Sequence, residues 1–129
     1  MPGVRVGAIS AAVAASALAL TIVQPAVAKE GDVVVRGTCT KASASKLKLS
    51  DEDGRIEVEF EVDQNRIGVS WRVVLKRNGR EVFVGRVRTK GPSGSFTLRR
   101  LVADGPGADT IAAWAVSPGG EVCKARASF

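Results

Sequence analysis

Beyond residue 30 the chain is a succession of short runs in which apolar and polar residues alternate, each ending at a turn rich in glycine, proline, asparagine or aspartate. Alternation with a period of two gives a strand one face for a core and one for water. The runs begin at 32–39 and continue through 46–52, 55–62, the two sides of Asn78-Gly79, 96–102 and the two sides of the turn at 117–120. No stretch after residue 28 repeats apolar residues at helical spacing. Eight such runs separated by turn signals predict an all-β fold, an antiparallel sandwich of two sheets.

Two turns fix their own registers. Asp53-Gly54 suits the positive φ angles of a two-residue hairpin turn. Opposed residues then have numbers summing to 107, so Leu49 faces Val58 and Leu47 faces Phe60 on the buried side. Lys48 faces Glu59 and Lys46 faces Glu61 on the wet side. The acidic series Glu57, Glu59, Glu61, Asp63 is therefore read as a solvated strand face rather than a carboxylate site. Asn78-Gly79 is the strongest short hairpin signal in the chain. Its register pairs Lys76 with Glu81 and places Trp71, Val73, Leu75, Val82 and Val84 on the core face. Val74 then faces Phe83 on the outward side, with Val87 beside them. Val74, Phe83 and Val87 are the candidate contact patch, unless another strand of the domain covers them.

In the last run Cys123, Ala125, Ala127 and Phe129 share one face, and Lys124, Arg126 and Ser128 the other. Pro118-Gly119-Gly120 permits more than one loop length. The neighbour of Cys123 on the preceding strand is thus left open between Trp114 and Ala113.

The segment before the first run changes the picture of size and location. Residues 1–28 carry Arg5, then an uncharged core of apolar and small residues, then Ala26-Val27-Ala28, the small residues a signal peptidase requires. This predicts a helical signal peptide over 1–28, cut before Lys29, and a single secreted domain over 29–129. A retained membrane anchor is the competing reading; no basic stop-transfer cluster follows the core, and the processed chain is read as soluble, without a membrane span and monomeric. The two cysteines, Cys39 and Cys123, are then expected to form one disulfide, because an exported chain meets an oxidising compartment. A domain this small gains from such a staple.

Lys and Arg number 19 against 13 Asp and Glu. Loss of Arg5 with the leader leaves an excess of +5. Arg86, Arg88, Lys90, Arg99 and Arg100 come from two strands and the turn between them, and form the candidate anion site. Alternation sends Arg99 and Arg100 to opposite faces. With only Phe96 among them to stack on bases, loose adhesion to an anionic polymer is a better expectation than specific nucleic-acid reading.

Catalytic chemistry finds little to use. The chain has no histidine, which removes the usual general base and the histidine-dependent nucleophile and zinc arrangements. Asp51, Glu52 and Asp53 share a turn without an apolar pocket to separate their pKa values. Neither that turn nor the 104–109 loop has the ligand spacing of a calcium loop. No metal, cofactor or catalytic set is expected, and the chain is read as a non-enzyme.

The last seven runs resemble the strands of an immunoglobulin-like or fibronectin type III-like domain, with 32–39 as an added N-terminal strand. Two departures stand out: the cysteines lie in the first and last runs, and no tyrosine is present to form a tyrosine corner. The segments GTCT (37–40), RIEVEFEVDQNR (55–66), the strand and turn over 71–79, PSGSF (92–96) and the terminal DTI and GEVC together resemble small secreted actinobacterial proteins of unassigned function. That resemblance implies a secreted β-sandwich and carries no activity. The expectations for function are a non-enzymatic interaction domain binding a protein through a sheet face, or an electrostatic binder of wall teichoic acid, acidic polysaccharide or nucleic acid.

Overall fold

A computed structural model describes residues 31–129, together with the isolated positions Gly3, Gly7, Ala11, Ala12 and Ala14. Those positions apart, the expected leader and its cleavage point lie outside the described residues. The described chain is all-β. Its strands are β1 (Val33–Arg36), β2 (Thr38–Cys39), β3 (Ala44–Glu52), β4 (Arg55–Asp63), β5 (Ser70–Arg77), β6 (Arg80–Arg88), β7 (Ser95–Ala103), β8 (Thr110–Val116) and β9 (Val122–Ser128). They form two antiparallel sheets, one in the order β1-β3-β4-β7 and one in the order β2-β9-β8-β5-β6.

The first run is thus divided between the sheets. β1 pairs with β3 in the four-stranded sheet, and β2 pairs with β9 in the five-stranded one. Gly37 makes the crossing. A Cβ there would lie 2.1 Å from Ser45 Oγ and 2.4 Å from the Lys124 carbonyl oxygen, so no other residue fits without moving backbone. Cys39 and Cys123 are directly opposed across β2 and β9 and are joined as a disulfide.

The β3–β4 hairpin has the predicted register throughout, with Asp53 and Gly54 both at positive φ. Leu47, Leu49, Ile56, Val58, Phe60 and Val62 are completely buried from the four-stranded side. Trp71, Val73, Leu75, Ile111 and Ala115 meet them from the other sheet, also completely buried. Phe96 sits between Phe60 and Trp71, with ring centroids 6.3 and 6.2 Å away. The buried Trp71 indole N–H donates to Gln64 Oε1 at 3.1 Å, which removes the cost of burying an unpaired donor.

The β5–β6 hairpin departs from its predicted register. Asn78 and Gly79 form the turn and Lys76 opposes Glu81 as expected, but a bulge follows between Leu75 and Lys76. The extra residue is Val82. Beyond it Leu75 opposes Phe83, Val74 opposes Val84 and Trp71 opposes Val87. One inserted residue exchanges the two faces of the rest of a strand. Val82 and Val84, expected in the core, are therefore 39% and 46% exposed, while Phe83 and Val87 turn inward and pack against the core.

The terminal hairpin has a three-residue loop. Ser117 and Glu121 close it, and Gly120 takes the positive φ. Cys123 consequently opposes Ala115, neither of the two neighbours considered from sequence, and Trp114 opposes Lys124.

Candidate functional site

The outward surface of the five-stranded sheet is organised in rows. One row crosses all its strands: Thr38, Lys124, Trp114, Val74 and Val84. To one side lies the row Val122, Val116, Arg72, Arg86. To the other lies Arg126, Ala112, Lys76, Glu81. Trp114 is 46% exposed at the middle of this face, with Val74 and Val84 continuing its apolar stripe towards the β6 edge. Arginines and lysines border the stripe on both sides.

The parity of β8 is what brings Trp114 out. With Cys123, Ala125 and Ala127 buried on β9, their partners Ala115, Ala113 and Ile111 must face the core. Trp114, Ala112 and Val116 then face away. The Lys124 ammonium lies over the indole ring, 4.9 Å from its centroid. A depression of about 440 Å³ opens beside the ring, lined by Lys124, Arg126, Thr38 and Lys76 among others. A smaller one of about 180 Å³, which Lys124 does not line, lies between Trp114, Val116, Arg72, Val74 and Glu81. Both share Trp114 as a wall.

Among the described residues, Arg72, Lys76, Arg86, Lys124 and Arg126 form no ion pair; the cations that do are Lys46, Lys48, Arg77 and Arg99. Arg72 and Arg86 are even direct cross-strand neighbours, an arrangement that like charges make unfavourable. The face therefore carries positive potential with little internal compensation, Glu81 being its one carboxylate near the stripe. Such a surface attracts anions, and the indole offers a flat apolar platform among them.

The residues proposed from sequence are distributed differently. Of the contact patch, Val74 is on this outward face, whereas Phe83 and Val87 are on the inward side of β6 because of the bulge. The Phe83 ring rests above Gly85, where a Cβ would come within 2.8 Å of it. The expected anion cluster does not converge either. Arg86 and Arg88 belong to β6 in the five-stranded sheet. Arg99 faces outward on the other sheet, bonded to Glu59 Oε1 through Nε at 3.1 Å and lying 3.8 Å from Glu57. Arg100 turns inward as alternation requires, its guanidinium 4.5 Å from the centre of Phe83, closing the open side of the sandwich between β7 and β6. Lys90 is exposed in the β6–β7 connection, bridged through its backbone to Ser95.

Sequence reasoning thus missed Trp114, Arg72, Lys124 and Arg126 as one group. The signal was present in the last strand, where buried small residues alternate with cations. Carrying it onto β8 required the loop length of the terminal turn.

The carboxylates are structural where the structure places them. Lys46 Nζ is 4.0 Å from Glu61 and Lys48 Nζ is 4.0 Å from Glu59 and 3.6 Å from Asp32, so the acidic face of β4 is compensated as predicted. Buried Asp109 accepts from Asn78 Nδ2 at 2.8 Å and from the Gly105 N–H at 3.0 Å, and pairs with Arg77 at 2.8 Å. These hydrogen bonds hold its carboxyl below the usual range. Burial, and then its hydrogen bond to Asp109, pushes Asp104 above it. Glu121 lies near Cys39 and Cys123, but both sulfurs are committed to the disulfide and the carboxylate accepts from the Lys41 and Ser43 N–H groups and the Ser43 hydroxyl.

No protein-family model, no curated protein and no solved structure matches this chain.

Proposed function

We propose that this is a secreted, non-enzymatic domain that binds an anionic polymer on the outward face of its five-stranded sheet, around Trp114. The observation carrying this reading is the exposed indole set in an apolar row and bordered by Arg72, Arg86, Lys76, Lys124 and Arg126, none of them ion-paired among the described residues. Unpaired cations gathered on one sheet face sum to a positive potential that draws an anionic ligand to it. Of the residues expected from sequence, Val74, Arg86 and Arg88 lie on the outward side of this sheet. Secretion is supported by the leader-like residues 1–28 and by the disulfide, which persists in oxidising compartments. The sandwich, with β1 and β2 added at one edge of each sheet, favours the immunoglobulin-like kinship, and the likeness to small secreted actinobacterial proteins fits the same size and staple.

A salt series separates this reading from its rival. Polymer binding releases counterions and weakens steeply as salt rises. Docking of a protein on the Trp114, Val74 and Val84 stripe would be nearly indifferent to salt. Titration of an acidic polysaccharide at roughly 50 and 300 mM salt should show a fall of at least tenfold in affinity. Trp114→Ala should weaken binding by roughly tenfold or more, the effect of losing a central aromatic anchor. Retention that ignores salt and survives that substitution rejects the polymer reading.

A further inference from the structure

We infer that the cleft at one end of the sandwich, between Arg66, Arg88 and Lys41, is a second anion site that takes a carboxylate or sulfate group of an acidic polysaccharide whose chain continues onto the Trp114 face. The inference rests on the proposed function for its ligand and adds a separate site to it.

The cleft encloses about 570 Å³, between the β4–β5 loop and the turn at 117–120. Its three cations come from three different segments. Among the described residues none of them forms an ion pair. Glu121 lies in the same cleft, but it is buried and its carboxylate is occupied by the Lys41 and Ser43 hydrogen bonds. Positive charge therefore dominates the opening, and low-dielectric walls focus its field.

Each segment is held in place independently. Thr89, 1% exposed, pins the Arg66 loop: its hydroxyl donates to the Arg66 carbonyl at 2.6 Å and accepts from the Val69 N–H at 2.9 Å. Gly94 backs the same loop so closely that a Cβ would lie 2.3 Å from the Arg66 nitrogen. Glu121 fixes the backbone of Lys41, whose ammonium also donates to the Gly119 carbonyl at 3.0 Å. Arg88 extends from β6 across Gly68, where a Cβ would meet its guanidinium at 3.6 Å. With the backbone of each segment fixed, part of the cost of ordering three cations around one opening is met by folding rather than by binding.

The cleft is continuous with the face. Arg88 opposes Ser70 on β5, and Arg72 and Val74 follow on the same outward side of that strand. From Val74 to Ser70 is about 13 Å at the rise of a strand. A chain lying along β5 would cross the Arg72–Arg86 pair and reach the cleft. The ligand class follows from the aromatic count. Single-stranded nucleic acid is bound by successive aromatics that stack successive bases. Here one indole stands alone, with an ammonium already over its ring, and the charged contacts along the path are the cations Arg72, Arg86 and Arg88. One sugar ring on the indole and acidic groups spaced along the chain fit that distribution.

Chondroitin sulfate oligosaccharides of increasing length, titrated calorimetrically against the whole protein, test the inference. Affinity should rise by roughly tenfold once the chain is long enough to span from Trp114 to the cleft, the worth of a charge-assisted hydrogen bond. Arg66→Ala should abolish that step and leave short-chain affinity unchanged; its side chain is exposed, so thermal melts should match the native protein. A step that persists in Arg66→Ala combined with Lys41→Ala, or no step in the native protein, overturns the second site while leaving the face intact. Trp114→Ala without effect on short chains rejects the face instead. Binding at no length, or tighter binding of single-stranded oligothymidylate, overturns the polysaccharide assignment.

Discussion

The two outward faces of the sandwich are built from the same kind of strand and treat charge in opposite ways. On the four-stranded sheet every glutamate of the central β4 row has a cation in reach: Lys46 for Glu61, Lys48 and Arg99 for Glu59, Arg99 for Glu57. Its exposed apolar residues, Val34 and Leu101, stand on opposite edge strands and never meet. On the outward face of the five-stranded sheet Arg72, Lys76, Arg86, Lys124 and Arg126 form no ion pair among the described residues, and exposed Trp114, half-buried Val74 and exposed Val84 are consecutive neighbours in one row. The first face is finished as a protein surface. The second leaves its cations without ion-pair partners among the described residues, which is what supports the anionic ligand proposed for it.

The comparison can be broken most severely at the staple. Replacing Cys39 and Cys123 by serine opens an 84-residue separation and should cost about 4 to 5 kcal/mol, read by urea unfolding. Because β2 is an edge strand that pairs only with β9, amide exchange should rise first in β2 and β9, with β3 and β4 still protected. Loss of protection on both sheets alike would show that the two faces are not separable.

Reversing both arginines of the adjacent pair, Arg72→Glu with Arg86→Glu, should reduce affinity for an acidic polysaccharide by about a hundredfold, since each removed phosphate- or carboxylate-type contact is worth on the order of tenfold. The single change Arg86→Glu sharpens the contrast further. It puts opposite charges across the strand pair and should stabilise the fold by roughly 0.5 kcal/mol while weakening binding. The mirror experiment on the compensated face, Lys48→Ala, should cost about 0.5 kcal/mol of stability and leave polymer affinity unchanged.

The smallest effect concerns the joint between the sheets, the loop from β7 to β8. Asp104 is raised by burial and by its bond to Asp109, so its ionised form is disfavoured in the fold. Its contribution is present while it is protonated and is lost as pH rises through its folded value, above the ordinary 3.8. Asp109, lowered by Asn78 and Gly105, contributes above 3.8 and loses that contribution as pH falls through its depressed value. Asp104→Asn should therefore gain stability over the native protein as pH rises above that window, and the gain should vanish below it. Urea titrations at a series of pH values read the difference.

How much of this was legible in the chain depended on whether a turn announced its own geometry. Asp53-Gly54 fixed the β3–β4 pairing and with it the whole compensated face, down to the lysine opposite each of two glutamates. Asn78-Gly79 fixed its turn equally well, but the bulge at Val82 comes after the turn and has no marker such as a glycine. Alternation counted from the turn therefore puts Phe83 on the surface, and the bulge exchanges the two faces of β6. The division of 32–39 between sheets is written in Gly37, yet only the approach of Ser45 and Lys124 shows why a glycine stands there. The proposed binding face was least legible because it depends on loop length at 118–120, which sets the parity of β8. Arg88 was named from sequence for its charge alone, and it proves to link the face to the end cleft.

The disulfide also decides how the molecule carries load. Tension applied through the two ends of the described chain enters at β1 and β9 and meets Cys39 and Cys123 before it reaches anything between them. Residues 31–38 can peel from β3, and residues 124–129 from β8, but the segment between the cysteines is bypassed by a covalent link. Force that would unravel an unstapled sandwich strand by strand therefore leaves β3 to β8 closed. Trp114, Arg72, Lys76 and Arg86 lie inside the bypassed segment and stay assembled under such tension, whereas Lys124 and Arg126 lie on the length of β9 that can peel away.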